Sequence, residues 1–423
     1  MNTVIQGGRL IDPANGIDAP RDLYLQQGKV LAVGEAPEGF VAEQTIDATG
    51  QVVCPGLVDL QAFLREPGQT QKGTIASESA AAAAGGVTTL CCPPQTQPVL
   101  DTPAVARLIQ DRAAEAGLVR VLPLGALTKG LEGEQLANMM ALKAAGCVGF
   151  SNVGAGVASA QTLLRCLEYA ATHDLLVLVR PQEPSLSSGC AHDGAMAMRL
   201  GLEGIPAVAE TLEVSRYLLL AEQAGARLHF GQLSCERSVK MIEEARERGQ
   251  AVSCDLAVHQ LLLDDGALEG FDGRFHLSPP LRSEAERAGL RAALVRGGIS
   301  ALCSDHQPHE ASAKAAPFSV TEPGMIGLQT LLPLGLKLVE QDLLSLSEMI
   351  ALLSSEPARI LGLEQGQLGV GAPADICIFD PEQSWQLDEL SNASIATNTP
   401  FWGQQLQGQV SHTLLAGERV YSR

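Results

Sequence analysis

Between residues 56 and 364, eight short apolar runs alternate with amphipathic stretches of about 10 to 18 residues, and this alternation restricts the chain more than any other feature. The runs are GLVDLQ, GVTTLCC, VRVLPLGA, CVGFS, LLVLVR, RLHFGQL, QAVSCD and ISALCSD. Strands that are apolar on both faces need cover on both, and intervening helices such as TPAVARLIQDRAAEAG and SAQTLLRCLEYAATH supply it on the outside of a parallel sheet. Eight strand-helix units favour closure into a (β/α)₈ TIM-type barrel over an open sheet. The first 55 residues read differently, as short alternating runs broken by Gly, Asn-Gly and Pro, which is hairpin chemistry. Such runs return only in ADICIFDP and VSHTLLAGERVY near the other end. The reading is therefore an α/β chain with a discontinuous β-sandwich domain from residues 1–55 and 365–423 around a barrel from 56–364.

Charge and cysteine usage narrow the function classes. With 29 basic against 48 acidic residues the net charge is −19, which disfavours nucleic-acid and anionic-membrane partners. No apolar stretch approaches the length of a membrane span, and ten scattered cysteines without a C-x-x-C read as reduced core residues of a cytoplasmic protein. No Gly-Lys-Ser/Thr follows the glycines of PANG, AGGV or NVGAGV, so none forms a phosphate loop.

Barrel chemistry sits where the strands end. The residues there are Gln61 and Phe63, Gln95, Asn152, Arg180 and Gln182, Gln232, His259, and Asp305 with His306 and His309. His306-x-x-His309 is the only close histidine pair, and two imidazoles without a third donor make a poor metal site. His229 and His259 are expected in hydrogen-bonded structural roles. A nucleophilic pair of Cys303 or Cys235 with His229 or His306 is a weak alternative, because ten cysteines bring such pairs together by chance.

The frame LREPGQ, the AAAAGGVTTL passage, PPLRSEAER, SDHQPH, GLQTLLPL, EPARILGL and the GAPADICIFDP tail resemble the dihydroorotase branch of the metal-dependent amidohydrolases over essentially the whole chain. The resemblance implies a barrel with a β-sandwich from both chain ends, and a zinc centre held by a His-x-His after strand one, an acid after strand four, one His each after strands five and six, and an Asp after strand eight. Those positions are Gln61 and Phe63, Asn152, Arg180, Gln232 and Asp305 in this sequence. Only the Asp remains. A benzyl ring offers no lone pair, amides bind zinc weakly, and a guanidinium repels a cation, so zinc is expected to be absent and Asp305 to be a vestige. The substrate-binding positions that the resemblance implies are Arg65, Gln95, Ser278 and His309.

A buried Asp305 needs a positive partner, and Arg180 is expected to pair with it, with amide hydrogen bonds from Gln61, Asn152 or Gln232. The function expected is that of a catalytically inactive dihydroorotase-like subunit of pyrimidine biosynthesis. It would self-associate and serve as a structural partner of the aspartate carbamoyltransferase catalytic subunit, as the family resemblance implies. The alternative is a working cyclic-amide hydrolase with a rearranged or metal-free site.

Overall fold

The computed structural model describes residues 2–423. Each of the eight apolar runs contains a strand: β1 (Leu57–Asp59), β2 (Val87–Cys92), β3 (Arg120–Ala126), β4 (Gly149–Ser151), β5 (Leu176–Val179), β6 (Arg227–Phe230), β7 (Val252–Ala257) and β8 (Ala301–Cys303). They form one parallel sheet in chain order, and a bridge between Ala62 and His306 closes it just beyond β1 and β8. Phe63 N donates to His306 O at 2.8 Å across that seam. The protein is a nearly closed TIM-type barrel.

Local chemistry starts and stops the outer helices where the barrel needs them. Thr74 and Ser77 form a capping box for the helix Ile75–Ala84, Pro103 opens Pro103–Ala116, and left-handed Gly117 ends it. The inward faces of these helices join the strands in one large core that runs from Leu57 and Val87 to Leu302 and Leu353.

Both chain ends build the second unit. One sheet orders the strands Glu418–Ser422, Gln405–Leu415, Ile376–Gln386, Val52–Pro55, Arg9–Asp12 and Ile17–Pro20, so residues far apart in sequence are direct neighbours. A four-stranded sheet of Lys29–Val33, Leu23–Gln26, Asn2–Gln6 and Gln44–Asp47 packs on it. A separate apolar core, from Ile5, Leu10 and Leu25 to Ile376, Ile378 and Leu414, lies between the two sheets. Among the described residues, no helix is long and apolar enough to cross a membrane, and all ten cysteines are buried and unpaired.

Candidate functional site

The strand ends converge on a mouth packed with side chains. Phe63 is 5% exposed, and the Arg65 guanidinium lies 4.9 Å from its ring centroid. Arg65 also donates from Nε to Pro308 O at 3.0 Å and from Nη2 to His309 Nε2 at 3.1 Å. The same Nε2 lies 3.0 Å from Pro323 O, and one nitrogen cannot accept from Arg65 and donate to a carbonyl at once, so each tautomer makes one of these bonds. Burial, followed by the Arg65 charge, pushes His309 down to about 3 and keeps the ring neutral at pH 7. Asn152 is locked to a loop: its Oδ1 accepts from Thr128 N at 3.2 Å, and its Nδ2 donates to Ala155 O at 3.3 Å. Exposed Gln95 donates to Val153 O.

The expected ion pair between Arg180 and Asp305 is not formed. Arg180 Nη2 donates to Ser278 Oγ at 2.7 Å, and no nitrogen of Arg180 comes within 4.0 Å of an Asp305 oxygen. The amide beside Asp305 belongs to Gln307, whose Nε2 donates to Oδ1 at 3.0 Å, rather than to Gln61, Asn152 or Gln232. Ser278 offers Arg180 a neutral, short-range acceptor, which avoids closing a fully desolvated ion pair. The attraction between Arg180 and Asp305 persists at longer range. Burial drives Asp305 up to about 7, Arg180 and Gln307 hold it down, and Asp255 and Asp59 push it further up. Burial likewise lowers Arg180, whose Nε finds no partner.

Below the mouth, Asp59 and Asp255 add two more buried carboxylates that the strand-end reading passed over. Burial raises Asp59 to about 6 against hydrogen bonds from Ser304 and Gln61 N. Asp255 accepts from Gln232 N at 2.7 Å and lies 2.8 Å from His229 Nε2, whose other nitrogen meets Ser253 Oγ at 2.8 Å. His306 serves the barrel wall. Its Nδ1 accepts from Gly327 N at 3.1 Å, which leaves the proton on Nε2, facing Glu78 at 2.9 Å. His306 and His309 therefore turn to different partners. Among the described residues no group of three or more His, Cys, Asp or Glu side chains is arranged to hold a metal ion. The thiols proposed as nucleophiles, Cys303 and Cys235, are pushed well above the usual thiol range, chiefly by burial, which works against thiolate formation.

Two further properties complete the mouth. Arg65, Gln232 and Asp305 have φ of +63°, +52° and +46°, a left-handed conformation that non-glycine residues seldom adopt and that costs about 1–3 kcal/mol each. The cavity between Arg180, Gln182, Gln232, Glu210, Pro279 and Arg282 measures about 10 Å³, the space of a single water.

Residues 50–238 match the family model described as dihydro-orotase-like, and residues 334–421 match an amidohydrolase family model. A "Dihydroorotase-like protein" from Pseudomonas aeruginosa is 51% identical over 422 residues, covering all of both chains. The chain belongs to the dihydroorotase-like family. Among proteins carrying the name "Dihydroorotase", one from Geobacter sp. is 42% identical to this dihydroorotase-like chain, over all of this chain and 99% of its own. Among solved structures, an L-hydantoinase from Arthrobacter aurescens superposes with a TM-score of 0.89 at 26% identity, covering 99% of this chain and 96% of its own. The zinc donor set that the family resemblance implies does not fit this dihydroorotase-like chain, because Phe63 has no donor atom, Asn152 is committed to Thr128 and Ala155, and Arg180 supplies a cation.

Sequence reasoning on the dihydroorotase-like chain missed Asp59, Asp255, Gln307 and the cluster in which Glu210 accepts from Ser234 N at 3.0 Å and Cys235 N at 3.1 Å. Arg282 Nε reaches Ser234 Oγ in that cluster at 3.0 Å. A signal was present for the two aspartates, since each is the one charged residue of its strand. None existed for Gln307.

Proposed function

We propose that this chain is a catalytically inactive dihydroorotase-like subunit of pyrimidine biosynthesis, a structural partner for assembly of aspartate carbamoyltransferase. The observation that carries the reading is the filling of the mouth by the protein's own groups. Ligand sites typically enclose about 300–1,000 Å³, whereas the space beside Arg180 is about 10 Å³. Arg65 and His309, which would grip a carboxylate, lie against each other at 3.1 Å, and Arg180 donates to Ser278.

The chemistry argues in the same direction. Hydrolysis of a cyclic amide at neutral pH needs both an activated water and polarisation of the carbonyl, and Asp305 by itself supplies at most the proton acceptor. A barrel of this size has an ample apolar core, so its fold can outlast the loss of a metal centre. The assembly role rests on the family resemblance, which runs over all of this chain and of its Pseudomonas aeruginosa relative.

A second reading, an active hydrolase with a metal-free site, draws on one observation: an acid held near pH 7 on strained backbone is the profile of a general acid or base. Zinc analysis of the purified chain, a dihydroorotate ring-opening assay, and co-purification with the carbamoyltransferase subunit decide between the readings. The proposal predicts no zinc, no turnover, and carbamoyltransferase activity that falls when this chain is deleted. Stoichiometric zinc with turnover would refute it, and metal-free turnover abolished by Asp305→Asn would establish the second reading.

A further inference from the structure

The cavity of about 10 Å³ at the barrel mouth brings two guanidinium groups together. Arg180 stands just past the end of β5, and Arg282, 3% exposed, precedes the helix Glu284–Val295. Among the described residues, neither has a carboxylate oxygen within 4.0 Å. Covered arginines elsewhere in the chain do find acids: Arg120 meets Asp375 at 2.8 Å, and Arg216 meets Glu213 at 3.1 Å.

At the mouth the partners are neutral. Arg282 donates from Nε to Ser234 Oγ at 3.0 Å and from Nη1 to Ile205 O at 2.7 Å, and His192 Nδ1 lies 3.3 Å from the same Nη1. Arg180 donates to Ser278 Oγ, and its buried Nε has no partner. A hydroxyl or a carbonyl satisfies a donor but leaves the charge, whereas buried charges are ordinarily paired. The acid in the lining is Glu210, whose carboxylate is committed to Ser234 N at 3.0 Å and Cys235 N at 3.1 Å, at the start of the helix Glu236–Glu247. Two guanidinium groups against one carboxylate leave the lining with one positive charge in excess. Asp305 attracts Arg180 from beyond 4.0 Å and is not part of the lining.

Size selects the kind of anion. The cavity holds one body about as large as a water molecule. Pro181, Pro279 and Pro280 wall it with rings that have no long side chain to swing aside, so sulfate, phosphate and carboxylates do not fit. A water there would accept hydrogen bonds and leave the excess charge in place. A halide ion accepts from every side and offsets that charge.

We infer that the mouth binds a halide ion of chloride size between Arg180 and Arg282, so that a position where the family resemblance implies a cation carries an anion instead. The inference rests on the functional reading above in one respect, that no metal ion occupies the mouth.

Thermal melts of the full chain at constant ionic strength, with sodium chloride replacing sodium gluconate, test it. The wild type is expected to gain about 1–2 °C for each tenfold rise in chloride above its dissociation constant. Bromide should act as chloride does, and crystals grown in bromide should show an anomalous peak between the two guanidinium groups. Gln182→Glu places a fixed carboxylate in the lining and should remove the chloride dependence with the fold intact. Arg180→Gln takes away one cation and should remove the dependence too, and the first variant decides the matter if the second fails to fold. A wild type indifferent to chloride, a dependence that survives in Gln182→Glu, or bromide found only at exposed arginines would overturn the site. Zinc analysis separates this inference from the functional reading. A zinc-free chain without chloride dependence loses the anion site alone, and a chain with zinc in its mouth loses both.

Discussion

Asp305→Asn isolates what the remaining acid contributes to the fold. In the native protein burial holds the Asp305 carboxyl up at about 7, while in the unfolded chain it titrates near the ordinary aspartate value of about 4. Below pH 4 both states are protonated, and the group contributes nothing to the stability difference. Between pH 4 and 7 the unfolded chain releases a proton that the native state keeps, so the wild type loses stability as pH rises. Above pH 7 both states are ionised and the loss is constant. Three units at 1.36 kcal/mol each make it about 4 kcal/mol. Asparagine still accepts the hydrogen bond from Gln307 Nε2 and carries no charge to desolvate.

The variant should therefore match the wild type at pH 4 and exceed it by about 4 kcal/mol at pH 8, with the gap opening through pH 5 to 7. Asp59 titrates in both chains, so only its charge coupling to Asp305 survives in the difference. Urea unfolding followed by far-UV circular dichroism is the suitable assay. Fluorescence is not, because both tryptophans, Trp385 and Trp402, lie in the C-terminal segment outside the barrel strands. A gap that stays constant with pH, or a variant weaker at pH 8 than the wild type, would refute the reasoning. Either result would mean that Arg180 stabilises ionised Asp305 more than burial opposes it.

Three other perturbations follow from the site. Replacing Gln61, Phe63, Arg180 and Gln232 with His and Asn152 with Asp should bring back zinc binding, read by elemental analysis, whereas any set that leaves Arg180 in place should bind none. Phe63→Ala removes a buried ring and the surface on which Arg65 stacks, and should lower stability by about 3–5 kcal/mol in denaturant unfolding. Glu78→Ala strands His306 and Ser394 in the barrel wall and should cost about 3–5 kcal/mol at pH 7. Hydrogen bonds, from His306 foremost, hold the Glu78 carboxyl below its usual value despite its burial, so that penalty should shrink as acid protonates the wild-type group. A penalty unchanged from pH 7 to pH 3 in thermal melts would contradict the assignment.

Much of this architecture was legible in one dimension. The run LLVLVR is apolar at five successive positions, as a strand covered on both faces requires, and it holds a barrel strand. The chain-end strands were legible because hairpin chemistry is local, as in Asn15-Gly16 between the paired strands Arg9–Asp12 and Ile17–Pro20. The site was legible as a set of residue types: an amide, a ring and a guanidinium at positions where donors are needed make a statement about coordination before any geometry is known. Its wiring was not. Arg180 meets Ser278 across 98 positions of sequence, and Glu78 meets His306 across 228. The expected Arg180–Asp305 pair failed because a charge argument names candidate partners without saying which lies within reach.

The sequence by itself determined the barrel, the union of the two chain ends and the absence of a sufficient donor set, because each follows from residue type and short-range spacing. Tertiary structure alone decided how the pocket satisfies itself: which serine takes the guanidinium, which glutamine holds Asp305, and how little volume is left beside Arg180. Those outcomes depend on distances of a few ångströms between strands that the chain visits far apart in sequence, and hydrogen bonding and desolvation change sign over such distances.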